Sequence, residues 1–132
     1  MSFLDRLLGR ERPSREELLN VGLRLAMEWG MNWLQPINQR IAKRFSYLTS
    51  DEIEELNTTC RAAMRAGHDF IYATLERATD SGETIAEAKL HSAFEAHVKG
   101  HYEWVSTKNL HHMFGQGMYY AWKDGLGEAL KT

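Results

Sequence analysis

Residues 14–34 read SREELLNVGLRLAMEWGMNWL, and the spacing of their few polar side chains decides the fold. Asn20, Arg24, Glu28 and Asn32 fall four apart, on one narrow stripe of a helix, so that almost the whole remaining circumference is apolar. A helix of that kind belongs at the centre of a bundle or in a dimer interface. Ser14 followed by Glu17 forms a capping-box signature at its start, with Pro13 just before it. Pro36 is expected to end or kink the helix between Trp33 and Gln35, with a continuation through Ile37 to Phe45. Trp29, inside the apolar run, is read as a core residue.

Working outward, Thr49 and Glu52 form a second capping box that opens a helix running to about Ala78. The segment TDSGE (79–83) reads as a turn, because Asp, Ser and Gly in succession disfavour continuing the helix. A further helix is expected from about Thr84 to Lys99, stopped by Gly100. Ser106 or Thr107 can cap a last one that ends before Gly125. Small residues recur on one face of three of these helices: Gly22, Ala26 and Gly30, then Cys60, Ala63 and Gly67, then Gly117, Ala121 and Gly125. Glycine inside a helix costs roughly 1 kcal/mol relative to alanine, so their clustering points to faces that meet closely.

At the N-terminus, residues 2–9 (SFLDRLLG) place Phe3, Leu4, Leu7 and Leu8 on one side of a short amphipathic helix, joined to the rest by the charged segment RERPSR. No β-alternation and no repeat is legible. The expected fold is all-α: a compact bundle of four main helices plus a short N-terminal amphipathic helix. Residues 1–12 form an arm and linker, and residues 13–132 a single helical-bundle domain.

At 132 residues, with 43% hydrophobic and 26% charged side chains, the chain has the composition of an ordinary globular domain. The formal net charge of −2 argues against a nucleic-acid partner, and the basic clusters at Arg6, Arg10, Arg12 and Arg15 and at Arg40, Lys43 and Arg44 are interleaved with acids or apolar residues. Cys60 is the single cysteine, which excludes an intrachain disulfide or a cysteine-rich zinc finger and suits a cytoplasmic protein. Asp5 and Arg6 interrupt the apolar residues that a signal peptide would need. The most apolar window, Val21 to Leu34, is too short and polar for a transmembrane segment.

The run HSAFEAHVKGHYEWVSTKNLHH (91–112) holds five of the six histidines. On a helix, Leu90, Phe94, Val98 and Val105 mark the inward face, with His101 among them, His97 on one flank and His91 with Glu95 on the other. His97 and His101 share the i, i+4 spacing with which two imidazoles reach one transition-metal ion, and they are the tentative metal ligands. HExxH and the Glu-x-x-His pairs of di-iron bundles are absent, and no cofactor is expected. No catalytic residue is assigned, since the chain has no nucleophile elbow, P-loop or dinucleotide fingerprint.

Two functional readings follow. In the first, the protein is an interaction or regulatory module that binds a protein partner or itself as a homodimer, through Phe3, Leu4, Leu7, Leu8 and Trp33 or the apolar helix. The arm could also touch a membrane surface weakly. In the second, a ligand cleft is lined by His97, His101, Trp104, Tyr119 and Tyr120.

Overall fold

A long helix organises the chain. The structure, a computed structural model, describes residues 12–131. Its helices are α1 (Arg15–Ala26), α2 (Asn38–Arg44), α3 (Ser50–Asp80), α4 (Glu87–His101) and α5 (Thr107–Lys123). The central α3 packs against each of the others. The protein is thus all-α, apart from a two-residue parallel bridge between β1 (Ile85–Ala86) and β2 (Leu130–Lys131), which ties the end of the chain to the entrance of α4. No helix among the described residues is long and apolar enough to cross a membrane. The arm residues Phe3, Leu4, Leu7 and Leu8 lie outside the described residues.

The local start signals act as their chemistry requires. Ser14 Oγ accepts from Glu17 N while Glu17 Oε1 accepts from Ser14 N, and Thr49 with Glu52 repeats the arrangement at α3. Ser106 Oγ accepts from Asn109 N at the start of α5. The small faces bring helices together: a Cβ on Gly22 would lie 2.6 Å from Cys60 Sγ, and one on Gly117 would lie 2.5 Å from Ile71 Cδ1. These are the α1–α3 and α3–α5 contacts. Gly30 and Gly125 take no part in the seam. Both have positive φ, and they allow the chain to turn sharply after α1 and α5. Cys60 is buried, its thiol donates to Leu19 O at 3.2 Å, and burial pushes it up to about 12, so it is an inert core residue.

The first helix departs from its expected length. It stops at Ala26, well before Pro36, because distant side chains take over its C-terminal carbonyls. Arg40 Nη1 donates to Leu25 O at 2.7 Å, and Gln116 Nε2 donates to Met27 O at 2.6 Å. Those bonds satisfy acceptors that another helical turn would otherwise have used. Residues 30–32 form a single 3-10 turn, Leu34 takes a left-handed φ of 64°, and α2 follows as a separate helix. Asn57 of α3 accepts Ile37 N at 2.9 Å, covering a donor just ahead of α2.

The early end of α1 splits the expected polar stripe, and two of its members, Asn20 on α1 and Glu28 beyond it, are attachment points. Asn20 Nδ2 donates to Trp104 O at 2.9 Å, Asn20 Oδ1 accepts Ser106 N at 2.8 Å, and Asn109 Nδ2 donates to both Asn20 oxygens at 2.9 and 3.0 Å. Glu28 accepts from Asn32 Nδ2 at 2.9 Å and pairs with Arg40 at 3.4 Å. Gly100 also fails to stop α4, which continues to His101.

Candidate functional site

The histidine run does not assemble the cleft expected from the sequence. His97 and His101 do share one helical face, with ring centroids 4.8 Å apart, and His97 stacks on Phe70 at 4.5 Å. His101 is exposed instead of facing the core, because α4 runs past the core at its last turn. Its Nδ1–H donates to the His97 carbonyl at 2.9 Å, since a carbonyl can only accept, and Nε2 is the nitrogen left for any ligand. Among the described residues, no three His, Cys, Asp or Glu side chains are grouped to hold a metal ion. Trp104 lies beside Tyr102, at 6.2 Å, and its carbonyl is held by Asn20.

Tyr119 and Tyr120 belong elsewhere. Tyr120 sits 6.2 Å from His68, whereas His97 packs on Phe70. His68 and Phe70 are two residues apart on α3, about 200° around the helix, so the two groups flank different sides of it.

The chemistry-bearing side chains converge at the far corner, where the turn after α1 meets the C-terminal half of α5. Trp29 stacks on Trp33 at 5.1 Å, Trp33 stacks on Tyr120 at 5.5 Å, and Tyr119 meets Trp29 edge-on at 5.6 Å. Tyr119 continues the group to Trp122 at 6.2 Å. Trp29 is 47% exposed and Trp122 is 67% exposed, while Met31, Leu34 and Tyr119 are also open to solvent. Trp29 is therefore a surface residue, contrary to the reading of it as core. The helix that would have buried it ends three residues earlier, and the 3-10 turn swings its ring outward.

Beneath these rings lies an unusual polar pair. Gln116 is only 3% exposed, and its amide nitrogen is committed to Met27 O. Gln116 Oε1 and His68 Nε2 are, among the described residues, the buried side-chain atoms without a hydrogen bond of normal geometry. Burial pushes the His68 imidazole down to about 4, against the weaker opposing pull of the Gln116 side chain. Burial likewise raises the Tyr120 hydroxyl above its ordinary range. The corner thus holds a neutral imidazole under a layer of aromatic rings.

No family model, curated protein or solved structure matches this chain. The site must be read from its own geometry. The sequence singles out Trp33, Tyr119 and Tyr120 of this corner, though it sets the two tyrosines beside His97 and His101, and it does not single out Trp29, His68 or Gln116 as site residues. One signal was available: Gln116 interrupts the apolar positions of its helix between Phe114 and Gly117, and an amide there needs partners from another element.

Proposed function

We propose that the protein is an interaction module that self-associates as a homodimer through the aromatic corner. The observation that carries this reading is the joined group of exposed rings Trp29, Tyr119 and Trp122, with Met31 and Leu34 also exposed in the turn that follows α1. Isolated exposed apolar residues are ordinary, but a joined aromatic patch of this kind is typical of protein-binding surfaces.

A second copy is the favoured occupant on grounds of complementarity. An uncharged apolar patch is its own complement across a two-fold axis, with the same residues on both sides. In this proposal α1, α3, α4 and α5 act as one compact bundle that holds the corner rigid, so the rings need little ordering when they are covered. The stacked Trp29–Trp33–Tyr120 group supports that reading, because rings that already pack on one another lose little freedom on binding.

Sedimentation equilibrium of the purified protein tests the proposal. A dimer is expected, and Trp122→Ser combined with Trp29→Ser should shift it to monomer while the helical circular-dichroism spectrum is retained. A parent protein that stays monomeric, or a double variant that dimerises as the parent does, would overturn it.

A further inference from the structure

Next to the aromatic corner, a groove of about 410 Å³ runs between the C-terminal half of α1 and the first turns of α5. Its walls include Arg24, Glu28, Trp29, Lys108, His111 and His112. It continues past Trp29 and the two histidines into a second hollow of about 380 Å³ that reaches Tyr119. Each hollow falls within the roughly 300–1,000 Å³ typical of small-molecule sites.

The charge of this groove runs against that of the chain as a whole. Arg24 and Lys108 are both exposed, and among the described residues neither has an ion-pair partner. Glu28, the carboxylate in the same wall, is already held by Arg40 at 3.4 Å and by Asn32 at 2.9 Å. Two unmatched cations and two imidazoles therefore face a space walled on one side by an indole, in a protein of net charge −2. Opposite charge in a concave, partly apolar site is what concentrates and orients an anion. The Trp29 face supplies a stacking surface at the same place.

We propose that this groove binds a small aromatic carboxylate, with the carboxylate between Arg24 and Lys108 and the ring against Trp29. The cations select the charged group, and the indole selects the planar one. A purely aliphatic acid loses the ring contact. A neutral aromatic compound loses the ion pairs.

Proton–nitrogen correlation NMR with benzoate, benzyl alcohol and acetate as probes tests this on the intact protein. Benzoate should produce saturable shifts at the Trp29 indole N–H and at the amides of Lys108, His111 and His112. Benzyl alcohol and acetate should each bind more weakly, by about tenfold or more. Lys108→Gln, and Arg24→Glu with Lys108→Glu, change exposed side chains only and should weaken benzoate binding by a similar factor with the spectrum otherwise intact. Equal responses to benzoate and benzyl alcohol, the absence of a saturable response, or benzoate binding untouched by charge reversal would overturn the proposal. Trp29 also belongs to the proposed dimer face, so the titrations are repeated on Trp122→Ser, which keeps Trp29 and the groove residues.

Discussion

The Asn20 clasp and the Gln116 corner are both places where an amide side chain joins α1 to α5, and they end in opposite states. At the clasp, Asn20 and Asn109 hold one another, the Trp104 carbonyl and the Ser106 amide, and no buried side-chain atom is left without a partner. At the corner, Gln116 caps Met27 O with its nitrogen, and its side chain meets His68 in a contact that falls short of normal hydrogen-bond geometry. A fully unmet buried polar group costs on the order of 1–3 kcal/mol, so the well-formed bonds of the clasp contribute more stability than the distorted contact at the corner. The clasp lies half-buried at the edge of the bundle, and the corner is covered by exposed aromatic rings. A poorly matched polar pair and exposed rings occur together at the corner, and the proposed dimer face is built on those rings.

The strongest test of this contrast is Asn20→Ala. It deprives the Ser106 amide and the Trp104 carbonyl of their side-chain partner and removes one of the two Asn109 Nδ2 bonds, the one to Asn20 O remaining, and a loss of about 2 kcal/mol in urea unfolding is expected. A loss under about 1 kcal/mol would mean that the clasp is decoration.

The second test is the pH dependence of stability. The folded pKa of His68 lies near 4, below its ordinary value, so the unfolded chain binds the proton more readily and acid favours unfolding. The stability associated with the neutral imidazole is complete above the unfolded-state value and is lost as pH falls from about 6.5 toward 4. Between about pH 7 and pH 5 the parent should lose roughly 2 kcal/mol more than His68→Gln, and parallel curves for the two proteins would contradict the assignment.

Gln116→Met should have a smaller effect. It removes the cap on Met27 O and the distorted contact to His68 but keeps the side-chain volume in an apolar form, so the net loss is expected at about 1 kcal/mol or less by thermal or urea unfolding. A loss as large as that of Asn20→Ala would show the two amides to be equivalent. Trp122→Ser should move monomer stability least, by less than about 0.5 kcal/mol, because the ring is mostly in water. Its effect belongs in sedimentation, through the proposed dimer.

Much of the fold was legible because it rests on contacts within a few residues. Both capping boxes, the Ser106 cap and the turn around Gly82 depend on side chains three residues apart or on one positive φ, and each appears where local chemistry puts it. The close approach at Gly22 and Gly117 was also readable, since small residues at helical spacing leave little alternative to a tight seam. The candidate site was legible only in pieces. The aromatic character of Tyr119, Tyr120 and Trp33 marks them as binding residues, but it does not separate Tyr119 and Tyr120 from the cleft expected around His97, His101 and Trp104. The two sets pack around different sides of α3, and a helical wheel drawn for one segment carries no information about which neighbour covers which side.

The sequence by itself determined where the three capped helices begin, at Ser14, Thr49 and Ser106, and the inward face marked by Leu90, Phe94, Val98 and Val105. All of these follow from short-range hydrogen bonding and the period of apolar residues. The tertiary structure alone decided where the first helix ends and therefore which way Trp29 points. Arg40 and Gln116, 15 and 89 residues from the carbonyls they cap, reach those acceptors only after α2 and α5 have packed. A helix terminus satisfied from that distance leaves no local signal, and the aromatic corner exists because that terminus comes early.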